Sequence, residues 1–416
     1  MEIKRDKYLQ ELIDRMHNGM IKVITGLRRS GKSYLMNHIF YRYLRSVGAD
    51  DSHIVMVQMD TEENESLLDR HVLADYLRSK LVDDAQYYFL LDEIQEVEHF
   101  EKVLNSFLQY ENVDLYVTGS NSRFLSTDIK TELRGRGDEV HVYPLTFSEF
   151  YEARKGNETD AWVEYMTYGG MPLILSRKTE EQKSKYLKDL FEETYIKDIA
   201  ERNNLRGVPE LEELIDIMAS SIGSLANPTR ISNSFKSIKN INIASETVKN
   251  YLAYLEDAFL LSETKRYDVK RKKYIDTPLK YYFEDIGLRN ARLNFRQLEE
   301  SHMMENIVCN ELRFRGFNID VGMVEINEKK DDRYIRKQLE VDFIASKGNQ
   351  KFYIQVAQEI TNDEKKEQEL RSLKKISDGF RKVVIRKDNS ITYTDEDGIL
   401  HLYLFDFLLS RNKELI

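Results

Sequence analysis

Residues 26–33 read Gly-Leu-Arg-Arg-Ser-Gly-Lys-Ser and complete the pattern G-x-x-x-x-G-K-[ST]. Their flanks restrict the fold more than anything else in the chain. Before them runs Met20-Ile21-Lys22-Val23-Ile24-Thr25, a short apolar strand. After them Tyr34 opens a stretch to Leu44 whose apolar residues recur at helical spacing. A strand that passes into a helix through such a loop is a cradle for phosphate. Gly26 and Gly31 let the backbone wrap an anion without Cβ clashes, and the backbone of Leu27, Arg28, Arg29, Ser30 and the new helix through Tyr34 offers its amides. Lys32 is expected to reach the β- and γ-phosphates of a nucleotide, and the Ser33 hydroxyl to hold Mg2+. A chance match in a Gly-containing turn is the alternative; the order strand, loop, helix argues against it.

The run Tyr88-Phe89-Leu90-Leu91-Asp92-Glu93 ends four apolar residues in two carboxylates. A buried strand of a parallel sheet looks like this, with its charges delivered at the carboxyl edge where ligands bind. Asp92 is expected to hold Mg2+ from its second sphere, and Glu93 to act as the base that orients the attacking water. Taken alone, Asp-Glu is also an ordinary strand end. Beside the phosphate loop it predicts ATP hydrolysis and not nucleotide binding alone.

At 416 residues the chain has room for about three domains. Its net charge of −10 places any nucleic-acid contact on a local basic patch and not on the molecule as a whole. The single cysteine, Cys309, excludes a disulfide framework and a Cys-rich metal site. It follows Met304, Ile307 and Val308 on an apolar face, so it is expected in the core and not as a nucleophile. The N-terminus is charged from Glu2 onward, and no stretch approaches ~18 uninterrupted apolar residues. A cytoplasmic chain with no membrane partner is expected.

Up to about residue 150, strands and helices alternate. Strands are expected at 20–25, 53–59, 87–92, 113–119 and 139–143, and helices at 34–46, 66–81, 99–110 and 122–133, the order of a parallel sheet wrapped by helices. The stretch 151–205 reads as helical, broken by a turn at Tyr168-Gly169-Gly170-Met171-Pro172. Residues 206–292 give helices and then a hairpin. The segment 293–416 opens with a helix, passes through strands near 317–325, 338–345 and 351–357, and resumes helix.

The strand Asp114-Leu115-Tyr116-Val117-Thr118 leads into Gly119-Ser120-Asn121-Ser122. Ser120 and Asn121 are candidates to sense the γ-phosphate or hold the attacking water, and equally a turn that caps the next helix. Leu133-Arg134-Gly135-Arg136-Gly137 then puts two arginines in a loop. Arginine is a natural donor to a transition-state phosphoryl group, so Arg136, and after it Arg134, is a candidate finger reaching a neighbouring subunit. A solvated surface loop is the alternative.

In order and spacing, 26–33, Leu90-Leu91-Asp92-Glu93, Thr118-Gly119-Ser120-Asn121, Leu133-Arg134-Gly135-Arg136, Tyr143-Pro144-Leu145-Thr146-Phe147-Ser148-Glu149-Phe150 and Gly169-Gly170-Met171-Pro172 resemble a large family of prokaryotic ATPases. That family joins an AAA+-like ATPase domain to a winged helix and a C-terminal domain of unknown function, and the likeness spans essentially the whole chain. It implies an α/β fold: a P-loop AAA+-like parallel sheet (1–150) and a helical lid (151–205) with the Gly-Gly-Met-Pro turn in or near it. A winged-helix domain (206–292) and an α/β restriction-endonuclease-like domain (293–416) would follow. The resemblance supplies no settled substrate.

The residues support the later modules as follows. Ser245-Glu246-Thr247-Val248 starts a capped helix, a shorter helix at about 229–238 precedes it across Lys239-Asn240-Ile241-Asn242, and this is helix-turn-helix spacing. The hairpin after it carries a basic tip, Lys270-Arg271-Lys272-Lys273. Between Lys236 and Lys273 stand nine Lys or Arg against five Asp or Glu, a local positive patch suited to DNA. A protein-interaction or oligomerisation module is the alternative. Farther on, Glu305, Asp342 and Gln355 stand in the order of nuclease carboxylates, but Ala357 takes the position of the lysine that helps activate water. Those three residues could hold a metal, yet a degenerate fold kept for binding is expected over an active nuclease; the charged edge of an ordinary strand is the alternative for Glu340 and Asp342. The leading hypothesis is an ATP- and Mg2+-using homo-oligomer acting on DNA. Its rival is a signal-transducing NTPase switch acting on a protein partner, with DNA cleavage third.

Overall fold

The computed structural model describes residues 3–119, 133, 135–205, 208–239, 241–330, 333–388 and 391–410. It divides into two units: Met1–Pro144 with Asp257–Phe259, and Leu145–Glu256 with Leu260–Ile416. Among the described residues no helix is long and apolar enough to cross a membrane.

The first unit is built on strands β1 (Ile21–Thr25), β2 (Ile54–Gln58), β3 (Tyr87–Asp92), β4 (Val113–Thr118) and β5 (Gly137–His141), in the order β2-β3-β4-β1-β5. Every pairing is parallel. Strand β3 is buried at all six positions, as a central strand covered on both faces must be. Helix α1 (Asp6–Asp14) precedes the sheet, and α2 (Lys32–Tyr34) runs on through a π-helical stretch, Leu35–Phe40, into α3 (Tyr41–Ser46). Helices α4 (Arg70–Ser79) and α5 (Phe100–Phe107) supply Leu73, Leu77, Val103, Leu104 and Phe107 to a core shared with Phe89, Leu91 and Val117. The helix expected at 122–133 falls almost wholly outside the described residues. A buried ion pair crosses the sheet, Lys22 of β1 to Asp114 of β4, with the Tyr116 hydroxyl donating to the same carboxylate at 2.8 Å. Leaving either charge there unpaired would cost several kcal/mol, about 3–5.

The second unit opens with helices α6 (Phe147–Arg154), α7 (Glu158–Tyr168), α8 (Glu180–Leu190) and α9 (Lys197–Arg202). A capping box starts α6, with Thr146 accepting from the Glu149 amide and Glu149 accepting from the Thr146 amide. The turn after α7 is gripped by Asp285, whose carboxylate accepts from the Gly170 amide at 2.7 Å and the Leu288 amide at 2.9 Å. Gly169 must be glycine: its φ is +71°, and a Cβ there would stand 2.3 Å from Asp285 Oδ1.

Then follow α10 (Val208–Ser220), β6 (Leu225–Ala226), α11 (Pro228–Lys239), α12 (Ser245–Asp257), β7 (Leu261–Asp268), β8 (Lys273–Phe283), α13 (Ile286–Arg292) and α14 (Glu300–Phe314). Val248, Tyr251, Leu252 and Leu255 form the buried face of α12, as the helical spacing predicts. Strands β9 (Asn318–Lys330), β10 (Arg333–Lys347) and β11 (Gln350–Ala357) form an antiparallel meander. Helix α15 (Asp363–Lys374) leads to β12 (Arg381–Arg386), parallel to β11. Next come β13 (Tyr393–Thr394), β14 (Ile399–Tyr403), parallel to β12, and α16 (Leu404–Leu408). The sequence reading of helix after β11 missed β12 and β14.

One nine-stranded sheet, β13-β14-β12-β11-β10-β9-β7-β8-β6, runs through all of these strands. Its seam is a parallel pairing of β7 with β9, Arg266 to Val321 through Asp268 to Met323. The hairpin expected at the end of 206–292 is therefore joined along its first strand to the C-terminal meander.

Candidate functional site

The phosphate loop leaves β1 at Gly26, whose φ is +128° and whose Cβ position lies 2.2 Å from the Val142 carbonyl oxygen, so no side chain fits. Gly31 takes a left-handed φ of 101° and starts α2, which turns the following amides toward the loop's centre. Lys32 is buried and donates to the carbonyls of Gly26 at 3.0 Å and Leu27 at 3.1 Å. Its ammonium is thus folded back over its own loop. Arg29 is exposed, Arg28 half-buried, and Tyr34 lies 41% exposed with its ring against His38. Ser30 is fully buried, and its Oγ has no hydrogen-bond partner among the described residues.

Ser33 and Asp92 meet. The Ser33 hydroxyl donates to Asp92 Oδ1 at 3.0 Å, across from the carboxyl end of β3. The same Oδ1 accepts from the Thr118 hydroxyl at the end of β4, and the Asn37 amide donates to Oδ2 at 3.2 Å. Burial pushes the Asp92 carboxyl above its ordinary range; the Thr118 and Ser33 hydroxyls oppose that shift, and Glu93 and Asp60 add to it. A buried anion so placed gains from a cation. The donor set fits Mg2+: a hydroxyl, a carboxylate and, beside them, the buried Asn37 Oδ1 with no partner among the described residues.

Glu93 stands in a left-handed conformation, φ 52°, and its amide donates to Thr118 Oγ1 at 2.9 Å. Its carboxylate accepts from the Gln95 side chain. Thr118, Asn37 and Gln95 are functional candidates that the sequence reading passed over. Asn37 lies one helical turn past Ser33, and Thr118 is the last residue of an apolar strand beside β3, so both signals were present. Ser120, Asn121 and Arg134 lie outside the described residues. Arg136 is exposed; its carbonyl accepts from the Ile21 amide at 2.8 Å and its Nη1 donates to Asn105 at 3.3 Å. That places it at the start of β1, about 15 Å of strand away from the loop at the other end. Arg136 does not reach the phosphate loop of its own chain.

In the second unit the tip residues Lys270, Arg271, Lys272 and Lys273 are all exposed. Lys270 Nζ donates to the Glu325 carbonyl at 2.6 Å, and Arg271 pairs with the Glu325 carboxylate at 3.1 Å, so β9 holds half of the basic tip. Glu305 and Asp342 come together, joined by Glu340 and by Lys280 of β8: the Lys280 ammonium is 3.0 Å from Glu305 and 2.7 Å from Glu340. Gln355 is not with them. Its Oε1 accepts from Ser372 of α15 at 3.5 Å, on the other face of the sheet. Cys309 is buried, which raises its thiol pKa, in keeping with a core residue.

Residues 18–151 match the family described as "AAA domain", and residues 159–299 match one described as "Domain of unknown function". An uncharacterized protein of Haemophilus influenzae is 34% identical over 414 residues, covering 98% of each chain. One of Methanocaldococcus jannaschii is 29% identical over 397 residues, covering 90% of this chain and 82% of the relative. Among solved structures, the Aeropyrum pernix ORC1 protein in complex with DNA aligns over 71% of this chain and 93% of its own at 12% identity and a TM-score of 0.31, a likeness too remote to carry an argument. Sheet order, loop and domain match define an AAA-domain protein. The chain belongs to one family with the Haemophilus influenzae protein, with which it shares 98% of its length.

Proposed function

We propose that the chain is an Mg2+-dependent ATPase of the AAA+ kind that works in the cytoplasm as a homo-oligomer on DNA. The observation that carries the reading is the hydrogen-bonded run Ser33–Asp92–Thr118–Glu93, which couples the phosphate loop, the acidic strand end and the backbone of the candidate base. Ser33 and Asp92 would hold Mg2+, which supplies charge compensation for the phosphates. Lys32 exchanges its two carbonyl partners for β- and γ-phosphate oxygens, a charge-assisted gain over neutral acceptors. Glu93 takes a proton from the attacking water. Arg136, remote from its own loop, serves a neighbour's.

The order α10, β6, α11, α12, β7, β8, with β6 pairing to β8, supports a winged helix. Lys249 and Asn250 on α12 and Lys272 and Lys273 at the tip are exposed and suited to phosphate and base contact. The run α14, β9, β10, β11, α15, β12 supports a restriction-endonuclease-like fold kept for binding.

Steady-state ATP turnover with and without duplex and branched DNA, at two salt concentrations, tests this. Hydrolysis stimulated by DNA, with binding that weakens steeply as salt rises, is expected. Lys32→Ala should abolish nucleotide binding. Glu93→Gln should keep binding and lower kcat by roughly 10²–10⁴-fold. A protein with no affinity for adenine nucleotides overturns the reading. One observation favours the second reading, a slow nucleotide switch acting on a protein partner: the Gln95 side chain occupies the Glu93 carboxylate. Near-zero turnover unmoved by DNA, released by Gln95→Ala, would decide for the switch.

A further inference from the structure

A restriction-endonuclease-like fold implies a divalent cation held by converging carboxylates, an expectation that rests on the reading of 293–416 given above. The residues present do not fit one. Gln355, which the sequence order would enlist, sits on the opposite face of the sheet against Ser372. Among the described residues, no group of three His, Cys, Asp or Glu side chains is arranged to hold a metal ion. Glu305 and Asp342 each have one oxygen already served by protein donors. Glu305 Oε1 accepts from the Tyr282 hydroxyl at 2.6 Å and from Lys280 Nζ at 3.0 Å, and Asp342 Oδ2 accepts from the Val356 amide at 2.8 Å.

Lys280 has arrived from outside the nuclease-like segment. It lies on β8, and only 3% of it is exposed. An ammonium so far from water persists only where anions surround it. Burial works against its charge, and Glu305, Glu340 and Asp342 outweigh that, leaving its pKa above lysine's ordinary value. Burial and the Glu305 charge push the Asp342 carboxyl well up, opposed by Lys280 and the Val356 amide. Acidic groups crowded together without a cation would repel one another; Lys280 pairs directly with Glu305 and Glu340 and lends its charge to Asp342 beside them.

We propose that the Lys280 ammonium stands where the divalent cation would be: β8 delivers a built-in counter-ion to Glu305, Glu340 and Asp342, which closes this site to metal and clamps β8 onto α14 and β10. The clamp and the β7–β9 ladder act on the same hairpin, one through side chains and one through backbone.

The experiment is Mn2+ titration of nucleotide-free protein by electron paramagnetic resonance, together with thermal melts in MnCl2 and in EDTA. Wild type should show no Mn2+ site that Asp342→Asn removes, and any difference in its melting temperature between the two solutions should be unchanged in Asp342→Asn. Lys280→Met, which keeps length and removes charge, should melt lower in EDTA, gain one Mn2+ per chain and recover stability in MnCl2. Adding Glu305→Gln to it should abolish that gain. A wild-type Mn2+ site lost in Asp342→Asn overturns the counter-ion and strengthens the nuclease-like reading. A folded Lys280→Met that neither binds Mn2+ nor responds to it overturns both. Should Lys280→Met not be recovered folded, the wild-type and Asp342→Asn titrations decide.

Discussion

Thr118 carries more of the candidate ATP site than any motif would suggest. Its hydroxyl gives its proton to Asp92 and receives the Glu93 amide, so one side chain sets both acidic residues. Thr118→Val keeps the shape and removes both bonds. It should lower kcat about 10–100-fold, the worth of a charge-assisted hydrogen bond, while nucleotide affinity without Mg2+ stays within about twofold. An unchanged kcat would remove Thr118 from the site. Asp285 makes a second residue-scale case. Burial raises its pKa to about 6, against the opposing Gly170, Leu288 and Gly287 amides. A carboxyl raised in the native state binds its proton more tightly there than unfolded. Its stabilising contribution is therefore complete below about pH 4 and lost as pH climbs through 6, about 3 kcal/mol over the whole window. The difference in urea unfolding free energy between wild type and Asp285→Asn should follow that curve from pH 5 to 7.5. Parallel curves would refute it. Sequence alone pointed to Lys32, Ser33, Asp92 and Glu93 as candidates, because their spacing is a signature. It could not show Lys280, because β8, α14 and β10 bring their charges together from positions 25 to 60 residues apart.

At the scale of elements, strands with long apolar runs were legible almost to the residue; β3 was expected at 87–92 and spans Tyr87–Asp92. Helix α12 begins at Ser245, the residue at which the sequence placed its start. Strand β12, Arg-Lys-Val-Val-Ile-Arg, was hidden because only three apolar residues stand between charges, and burial of Val383, Val384 and Ile385 in a parallel ladder is a tertiary fact. The π-helical stretch Leu35–Phe40 has no sequence mark either. It lies between Ser33 and Phe40 and includes Asn37, which reaches Asp92. Wider helices of this kind often sit at functional sites. The β7–β9 seam was illegible for a further reason: parallel neighbours need no tight turn, and here the paired residues stand 55 positions apart, as Arg266 and Val321 do.

For the molecule as a whole, subunit contact is where the Arg136 proposal lives. Its position at the far end of β1 makes a test in mixtures informative. Arg136→Ala should keep nucleotide affinity and lose turnover by about 10³-fold or more, the usual worth of a finger in trans. Mixed with Lys32→Ala, which retains Arg136 but cannot bind nucleotide, it should regain activity at the shared interfaces. Mixtures no more active than their parts would end the idea. The pairing of β7 with β9 reaches further still. A hairpin on a flexible stem would swing with whatever it touched. This one is stitched edge to edge into nine strands, so a pull on Lys272 or Lys273 arrives at β9 and β10 as shear along backbone bonds that must break together or hold together. Whatever load the basic tip takes is thereby shared with the C-terminal strands through one continuous set of backbone bonds.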